Sequence, residues 1–228
     1  MSRGNGGQLR GTRHDTPRDT PHDTPHDTRH AKRYDERYYQ RWYRDPRTRV
    51  KSPAELARLV ALVLAQTEYH LERPLRSVLD IGCGEGRWYP ALKRLRPKVS
   101  YRGVDPSAWA VARHGRRRHL QCGSIDALDA LDLGPQADLV VLNDVIQYID
   151  DATLVRAAPQ LRARCRGVIF ANAFVDSDEF IGDRTRHQPR SADWYLKLFA
   201  CAGWRAIGAQ CYLAPDLAAR AAGLELFD

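Results

Sequence analysis

Beyond residue 50 the chain alternates two hydrophobic patterns. Short, nearly continuous apolar runs fit strands buried on both faces. Between them, apolar positions recur every three or four residues, as amphipathic helices require. Strands are predicted over 77–81, 101–104, 120–122, 138–142, 168–171 and 204–213, and helices over 87–95, 108–116, 152–163 and 192–202. An earlier helix starts at Ser52-Pro53-Ala54-Glu55. Ser52 caps it, Pro53 takes the first helical position, and Glu55 closes a capping box. Leu56, Leu59, Val60, Val63 and Thr67 then keep helical spacing until Pro74 stops the run. Strand and helix in alternation predict an α/β fold: a doubly wound, mostly parallel sheet with helices on both faces. Residues 214–228 fit a helix or an edge strand.

Residues 1–30 break the pattern. Asp15-Thr16-Pro17-Arg18 is followed by three variants of the same four-residue unit, ending at His30. With almost no apolar content it cannot build a core, so the expectation is a disordered tail over 1–30 and an ordered domain over 31–228. His22, His26 and His30 lack the rigid spacing of a metal site. Next comes an aromatic run containing Tyr34, Tyr38, Tyr39, Trp42 and Tyr43. It is too polar to be buried on all sides and predicts a short helix lying over the domain. Tyr34, Tyr38, Trp42 and Tyr43 are candidates for a lid, with plain packing as the alternative.

A length of 228 residues with 43% hydrophobic content suits one α/β domain and a short appendage. No apolar run approaches the roughly 20 residues of a membrane helix, and the N-terminus carries no apolar leader. The expected location is therefore cytoplasmic, with no membrane partner. Five scattered cysteines (Cys83, Cys122, Cys165, Cys201, Cys211) form no C-x-x-C pair, which argues against a disulfide framework or a zinc site. Net charge is +8. Residues 1–50 hold 12 Lys/Arg against 7 Asp/Glu, and the remainder 24 against 21. On that balance a nucleic-acid partner is not favoured.

Chemistry concentrates after the first strand, at Asp80-Ile81-Gly82-Cys83-Gly84-Glu85-Gly86. A glycine-rich turn there lets backbone approach a ligand closely. Dinucleotide sites use G-x-G-x-x-G with a pyrophosphate at the helix N-terminus. Here the third glycine falls one position early, and Arg87 takes the dinucleotide position. Asp80 would repel a pyrophosphate but attract the α-ammonium of a methionine moiety, so charge favours S-adenosylmethionine over NAD.

The string Val78-Leu79-Asp80-Ile81-Gly82-Cys83-Gly84-Glu85-Gly86 closely resembles the first motif of class I (Rossmann-like) S-adenosylmethionine-dependent methyltransferases. Tyr101-Arg102-Gly103-Val104-Asp105-Pro106-Ser107 resembles their second-strand motif, Gln121-Cys122-Gly123-Ser124-Ile125-Asp126 their adenine-binding segment, and the stretch from Ala137 to Tyr148 their fourth-strand motif. Alone, the glycines describe an ordinary connection and Asp105 a helix cap; four motifs in order carry the resemblance. It covers roughly residues 50–213 and implies a cofactor site of Asp80, Gly82, Cys83, Gly84, Gly86, Asp105, Pro106, Ser124, Ile125, Asn143, Asp144 and Val145. By the same resemblance Asp105 binds both ribose hydroxyls. Ser124 stands where the family often has an acidic residue, with Asp126 or the Ile125 backbone as substitutes.

Methyl transfer is a displacement at an already activated carbon, and a base is needed only where the acceptor keeps its proton. Open α/β sheets bind ligands beyond the strand ends. Asp144 and Tyr148 are therefore the candidate catalytic residues, and His187 in the polar segment over 174–190 is a further candidate. The fourth strand lacks the N-P-P-Y or D-P-P-Y of amino-methylating nucleic-acid enzymes and the cysteine of cytosine C5 enzymes. Asp144 alone is no metal-ligand set. A small-molecule acceptor is expected; Arg184, Arg186 and Arg190 fit a solvated polar loop, with an acidic acceptor as the alternative reading. The alternatives are RNA or protein methylation, a non-catalytic S-adenosylmethionine-binding module, and an NAD dehydrogenase.

Overall fold

The apolar runs become seven strands: β1 (Ser77–Ile81), β2 (Ser100–Asp105), β3 (Leu120–Cys122), β4 (Ala137–Asn143), β5 (Cys165–Asn172), β6 (Arg205–Ala206) and β7 (Cys211–Leu213). They form one sheet of order β3-β2-β1-β4-β5-β7-β6. The first five are parallel, and β7 runs antiparallel to both β5 and β6. The computed structural model describes residues 33–179 and 182–227. The tail expected over 1–30 lies outside the described residues.

Helices α2 (Pro53–Leu71), α3 (Trp88–Leu95) and α4 (Ala108–Arg118) cover one face of the sheet; α5 (Asp151–Arg164) and α6 (Ala192–Cys201) cover the other. Successive side chains of a strand point to opposite faces, so β1 and β4 divide between two cores. Val78, Leu139 and Val141 meet Leu56, Val60, Trp88 and Leu92. Leu79, Val140 and Leu142 meet Leu154, Leu161 and Phe199. The capping box at Ser52 forms, with Glu55 N–H donating to Ser52 Oγ at 3.2 Å and Ser52 N–H to Glu55 Oε2 at 2.7 Å. Ser107, Asp150 and Ser191 cap α4, α5 and α6 by accepting from the backbone N–H three residues on, without a reciprocal bond.

One expected strand is two. The run over 204–213 folds back at Gly208, Ala209 and Gln210, all with positive φ (81°, 49°, 59°). Its apolar residues suit a single buried strand, but a tight turn led by glycine splits them into β6 and β7. Residues 214–228 contain both readings offered for them: the short helix α7 (Pro215–Ala218), then an isolated antiparallel bridge between Phe227 and Ala206.

Two features anchor β4. Asp138 is fully buried at its start and accepts from Arg73 (2.7 Å), Arg166 (2.7 Å) and the Arg76 N–H (2.8 Å). Burial alone would raise its pKa, but these donors outweigh it and hold it at about 2. Beside it the β4–β5 register shifts between Ala137 and Leu139. There Gly167 lies so close to the Asp138 carbonyl that no Cβ fits.

Candidate active site

Strand β1 delivers the chain into the glycine turn at the carboxyl edge of the sheet. The Val104 carbonyl on β2 accepts from the N–H groups of Gly82 (2.7 Å) and Cys83 (3.1 Å), which pins the turn. Gly82 and Gly84 have φ of 71° and 55°, a region that glycine alone occupies at little cost. A Cβ on Gly82 would collide with Val145, and one on Gly84 would stand 2.7 Å from the Tyr43 hydroxyl. Backbone at both positions thus faces side chains from distant elements.

Asp105 ends β2 and is almost buried. It accepts from Gly84 N–H (2.6 Å), Ser107 N–H (2.8 Å) and the Tyr39 hydroxyl (3.5 Å). Burial raises its pKa, opposed by those donors. Two carboxylate oxygens offer about four acceptor positions, so roughly one stays open beyond these three bonds.

The aromatic run folds as predicted, into helix α1 (Glu36–Tyr39) and a wide turn over Gln40–Arg44. It lies on the glycine turn. Tyr39 is 1% exposed and stacks on Trp109 at 5.2 Å. Ser107 Oγ donates to the Tyr34 carbonyl at 2.6 Å, and Arg44 pairs with Glu85 inside the turn. Tyr34, Tyr38, Tyr39 and Tyr43 all line a cavity of about 310 Å³ between this segment and the strand ends.

That cavity gathers most of the expected cofactor set. Gly82, Gly84, Asp105 and Pro106 line one side, Ser124, Ile125 and Asp126 one end, and Asn143, Asp144, Val145 and Tyr148 the far wall. The Ser124 hydroxyl donates to the Asp126 carboxylate, so these two candidates for the adenine end act as a pair. Three expected residues lie elsewhere. Gly86 packs against Leu120 and lines neither this cavity nor its neighbour. Cys83 and Asp80 line a smaller adjoining cavity of about 60 Å³, shared with Gly82, Asn143, Asp144 and Tyr148. Asp80 accepts from the Tyr101 hydroxyl at 2.6 Å. Its burial and the nearby Asp105 charge raise its pKa to about 7 despite that bond.

The far wall is set by β4 and the short helical turn over Ile146–Tyr148. Asp144 has φ of 58° and donates its N–H to the Asn172 carbonyl at 3.0 Å. Its Oδ2 accepts from Lys51 (3.0 Å) and Asn143 Nδ2 (2.9 Å), while its buried Oδ1 has no hydrogen-bond partner among the described residues. His187 stands edge-on to Tyr148, ring centroids 6.4 Å apart. Burial raises the Tyr148 phenol's pKa, keeping it protonated at neutral pH. Arg190 does not serve an acceptor. It is 5% exposed, pairs with Asp151 at 2.7 Å and donates to the Ile146 carbonyl at 3.0 Å, bracing the wall from behind.

Sequence reasoning passes over Tyr39, Trp109 and Lys51. Tyr39 is one aromatic among several, and only its register on α1 turns it toward Asp105. Lys51 sits in a linker without any motif, and the fold carries it to Asp144, 93 residues away.

Residues 79–168 match a family model described as a methyltransferase domain. Comparison with curated proteins gives no match. Among solved structures, the fold is similar to a SAM-dependent methyltransferase from Archaeoglobus fulgidus (19% identity, 64% of this chain and 69% of that one, TM-score 0.51). It is also similar to DesVI of Streptomyces venezuelae (13%, 70% and 92%, TM-score 0.56). A third similar structure is the plantazolicin methyltransferase BamL in complex with a triazolic desmethylPZN analog and SAH (15%, 65% and 62%, TM-score 0.52). The chain spans about three fifths of the length of several solved structures it matches.

Proposed function

We propose that this chain is a class I S-adenosylmethionine-dependent methyltransferase and transfers the methyl group to a small-molecule acceptor enclosed beneath the aromatic segment. The observation that carries this reading is the cavity of about 310 Å³, roofed by Tyr34, Tyr38, Tyr39 and Tyr43 and floored by the strand ends. Pockets of this size and apolar lining suit small ligands. A macromolecular acceptor would have to displace the roof. BamL, with its bound plantazolicin analog, gives a precedent for a small acceptor on a similar fold.

The residues present fit the cofactor. Gly82 and Gly84 bring backbone to the cavity, Asp105 keeps an acceptor position open there, and Asn143 and Asp144 each hold an Oδ1 without a hydrogen-bond partner among the described residues in its wall. Asp105, with about one acceptor position open beyond its three bonds, would take a ribose hydroxyl, Ser124, Ile125 and Asp126 the adenine, and Asp80 the ammonium of the methionine moiety. When bound, S-adenosylmethionine supplies a methyl group on a sulfonium sulfur, ready for displacement. The chain's own task is then alignment and exclusion of water. The tyrosine roof excludes water. Asp144, held by Lys51 and Asn143, directs Oδ1 toward the acceptor and orients it or takes its proton. Tyr148 lines the acceptor side as a neutral phenol.

The test is incubation of the full chain with methyl-tritiated S-adenosylmethionine and separate pools of metabolites, RNA and protein. Label in a low-mass fraction supports the reading. Label confined to RNA or protein overturns it. Calorimetry with S-adenosylmethionine tests the cofactor on its own.

A further inference from the structure

The charge balance over residues 51–228 conceals a steep local asymmetry. Residues 87–119 hold ten Lys/Arg and a single acidic residue, Asp105, which faces the cofactor cavity. That segment alone carries +9, more than the whole chain, while residues 120–228 carry −5. The topology turns this sequence block into a surface. Strands β1, β2 and β3 lie side by side, and right-handed crossovers place α3 and α4 on the same face. The cationic end of α4 meets the start of α3. The Tyr89 ring of α3 contacts His119 at the end of α4, and Arg118 of α4 donates to the Glu85 carbonyl beside the start of α3.

Little on the protein neutralises this face. Arg96 pairs with Glu68, and Arg102 donates to the Pro135 carbonyl. Arg94, Lys98, Arg113, Arg116 and Arg117 are exposed and have no carboxylate partner among the described residues. One or two cations at each helix end would complement the helix dipoles; this number exceeds that need and repels itself. A groove runs from the face toward the cofactor turn, with Arg44, Arg87, Arg94 and Arg118 in its walls and one carboxylate, Glu85, paired with Arg44.

We infer that the α3–α4 face binds the phosphodiester backbone of nucleic acid. Eight of the ten cations are arginine, whose planar fork suits bidentate contacts to phosphate oxygens. Leu95 is the one exposed large hydrophobic residue between residues 87 and 119, so the face lacks the apolar anchors that would hold a membrane. The inference concerns docking and stands apart from the identity of the methyl acceptor.

Fluorescence anisotropy with a fluorescein-labelled 20-nucleotide RNA of mixed sequence, titrated with full-length protein at several salt concentrations, tests it. Wild type binds, and the logarithm of its affinity falls with the logarithm of salt with a slope of about −3 or steeper. The quadruple variant Arg94→Gln, Arg113→Gln, Arg116→Gln, Arg117→Gln binds at least tenfold more weakly, with a slope shallower by roughly 0.7 for each phosphate no longer neutralised. None of the four touches the cofactor cavity, so its S-adenosylmethionine calorimetry and melting curve stay as in wild type. A second full-length variant, with Arg3, Arg10, Arg13, Arg18 and Arg29 changed to Gln, binds RNA within threefold of wild type. No RNA binding by wild type overturns the inference. So does an unchanged affinity in the quadruple variant, or a weakening confined to the second variant. Capture by phosphatidylglycerol vesicles without RNA binding assigns the face to a membrane and also overturns it.

Discussion

The Tyr39 hydroxyl donates to Asp105 across 3.5 Å, joining the N-terminal aromatic segment to the end of β2 over 66 positions of sequence. The bond is long and therefore weak. The ring does more, through burial and its stack on Trp109. Tyr39→Phe should cost less than about 1 kcal/mol of stability, whereas Tyr39→Ala should cost about 3 kcal/mol. Chemical denaturation of both variants checks the split. Equal losses would show that the hydroxyl, not the ring, holds the segment down.

Asp80 should make cofactor binding pH-dependent. Its pKa of about 7 lies above the ordinary carboxylate value of 3.8. Between those limits the folded protein holds a proton that the unfolded chain has released. The contribution of Asp80 to stability without cofactor is therefore largest below pH 4 and declines as pH rises toward 7, by up to about 4 kcal/mol. An ammonium partner requires the charged form, so S-adenosylmethionine affinity should rise with pH through about 7. Asp80→Asn should melt higher than wild type at pH 7.5 without cofactor, and should bind the cofactor weakly with no pH dependence. Calorimetry at pH 6, 7 and 8 reads the affinity, and an unchanged pH profile in the variant would remove Asp80 from the site.

Asp144 and Lys51 should act as a unit. Asp144→Asn is expected to lower kcat at least tenfold, with the S-adenosylmethionine Kd within threefold. Lys51→Met should lower kcat less. The double variant should be no slower than Asp144→Asn, because the lysine works through the carboxylate. Additive losses in the steady-state cycle would separate their roles.

Asp138 should set the acid limit of the fold. Its folded pKa of about 2 lies below the unfolded value, so its contribution is complete above about pH 4 and vanishes as pH falls through 2. Asp138→Ala leaves Arg73 and Arg166 without their shared carboxylate and should cost roughly 3–5 kcal/mol near neutral pH. Urea unfolding at pH 7 and pH 3 measures both effects. A loss below about 1 kcal/mol would make the cluster a surface ornament.

Strands, helices and their order are legible because burial imposes a period on the sequence. The capping box at Ser52 is equally plain, being local. The cap of α4 is less so: the reading offered for it is Asp105, and Ser107 holds it. The turn at Gly208 is concealed because its flanking residues are apolar on both sides. The cavity wall from Asn143 to Tyr148 and the glycines at 82 and 84 follow from motifs. The roof does not. Which tyrosine meets Asp105, and that Lys51 reaches Asp144, depends on how separate elements pack, and no local pattern encodes that. Arg190 shows the reverse error. It reads as a surface charge in a polar loop, yet it is buried because Asp151 and two backbone carbonyls satisfy it.

The close approach of Gly167 to the Asp138 carbonyl bears on how the chain finds its fold. Sliding β5 by two residues along β4 keeps side chains on the same face and would bring Cys165 or Ile169 to a place where only hydrogen fits. A slip of one instead exchanges Val168 and Phe170, packed in one core, for Ile169 and Ala171, packed in the other. Because β4 carries Asn143 and Asp144 at its far end, a single glycine at the opposite edge of the sheet excludes the same-face slips that would disassemble the proposed site.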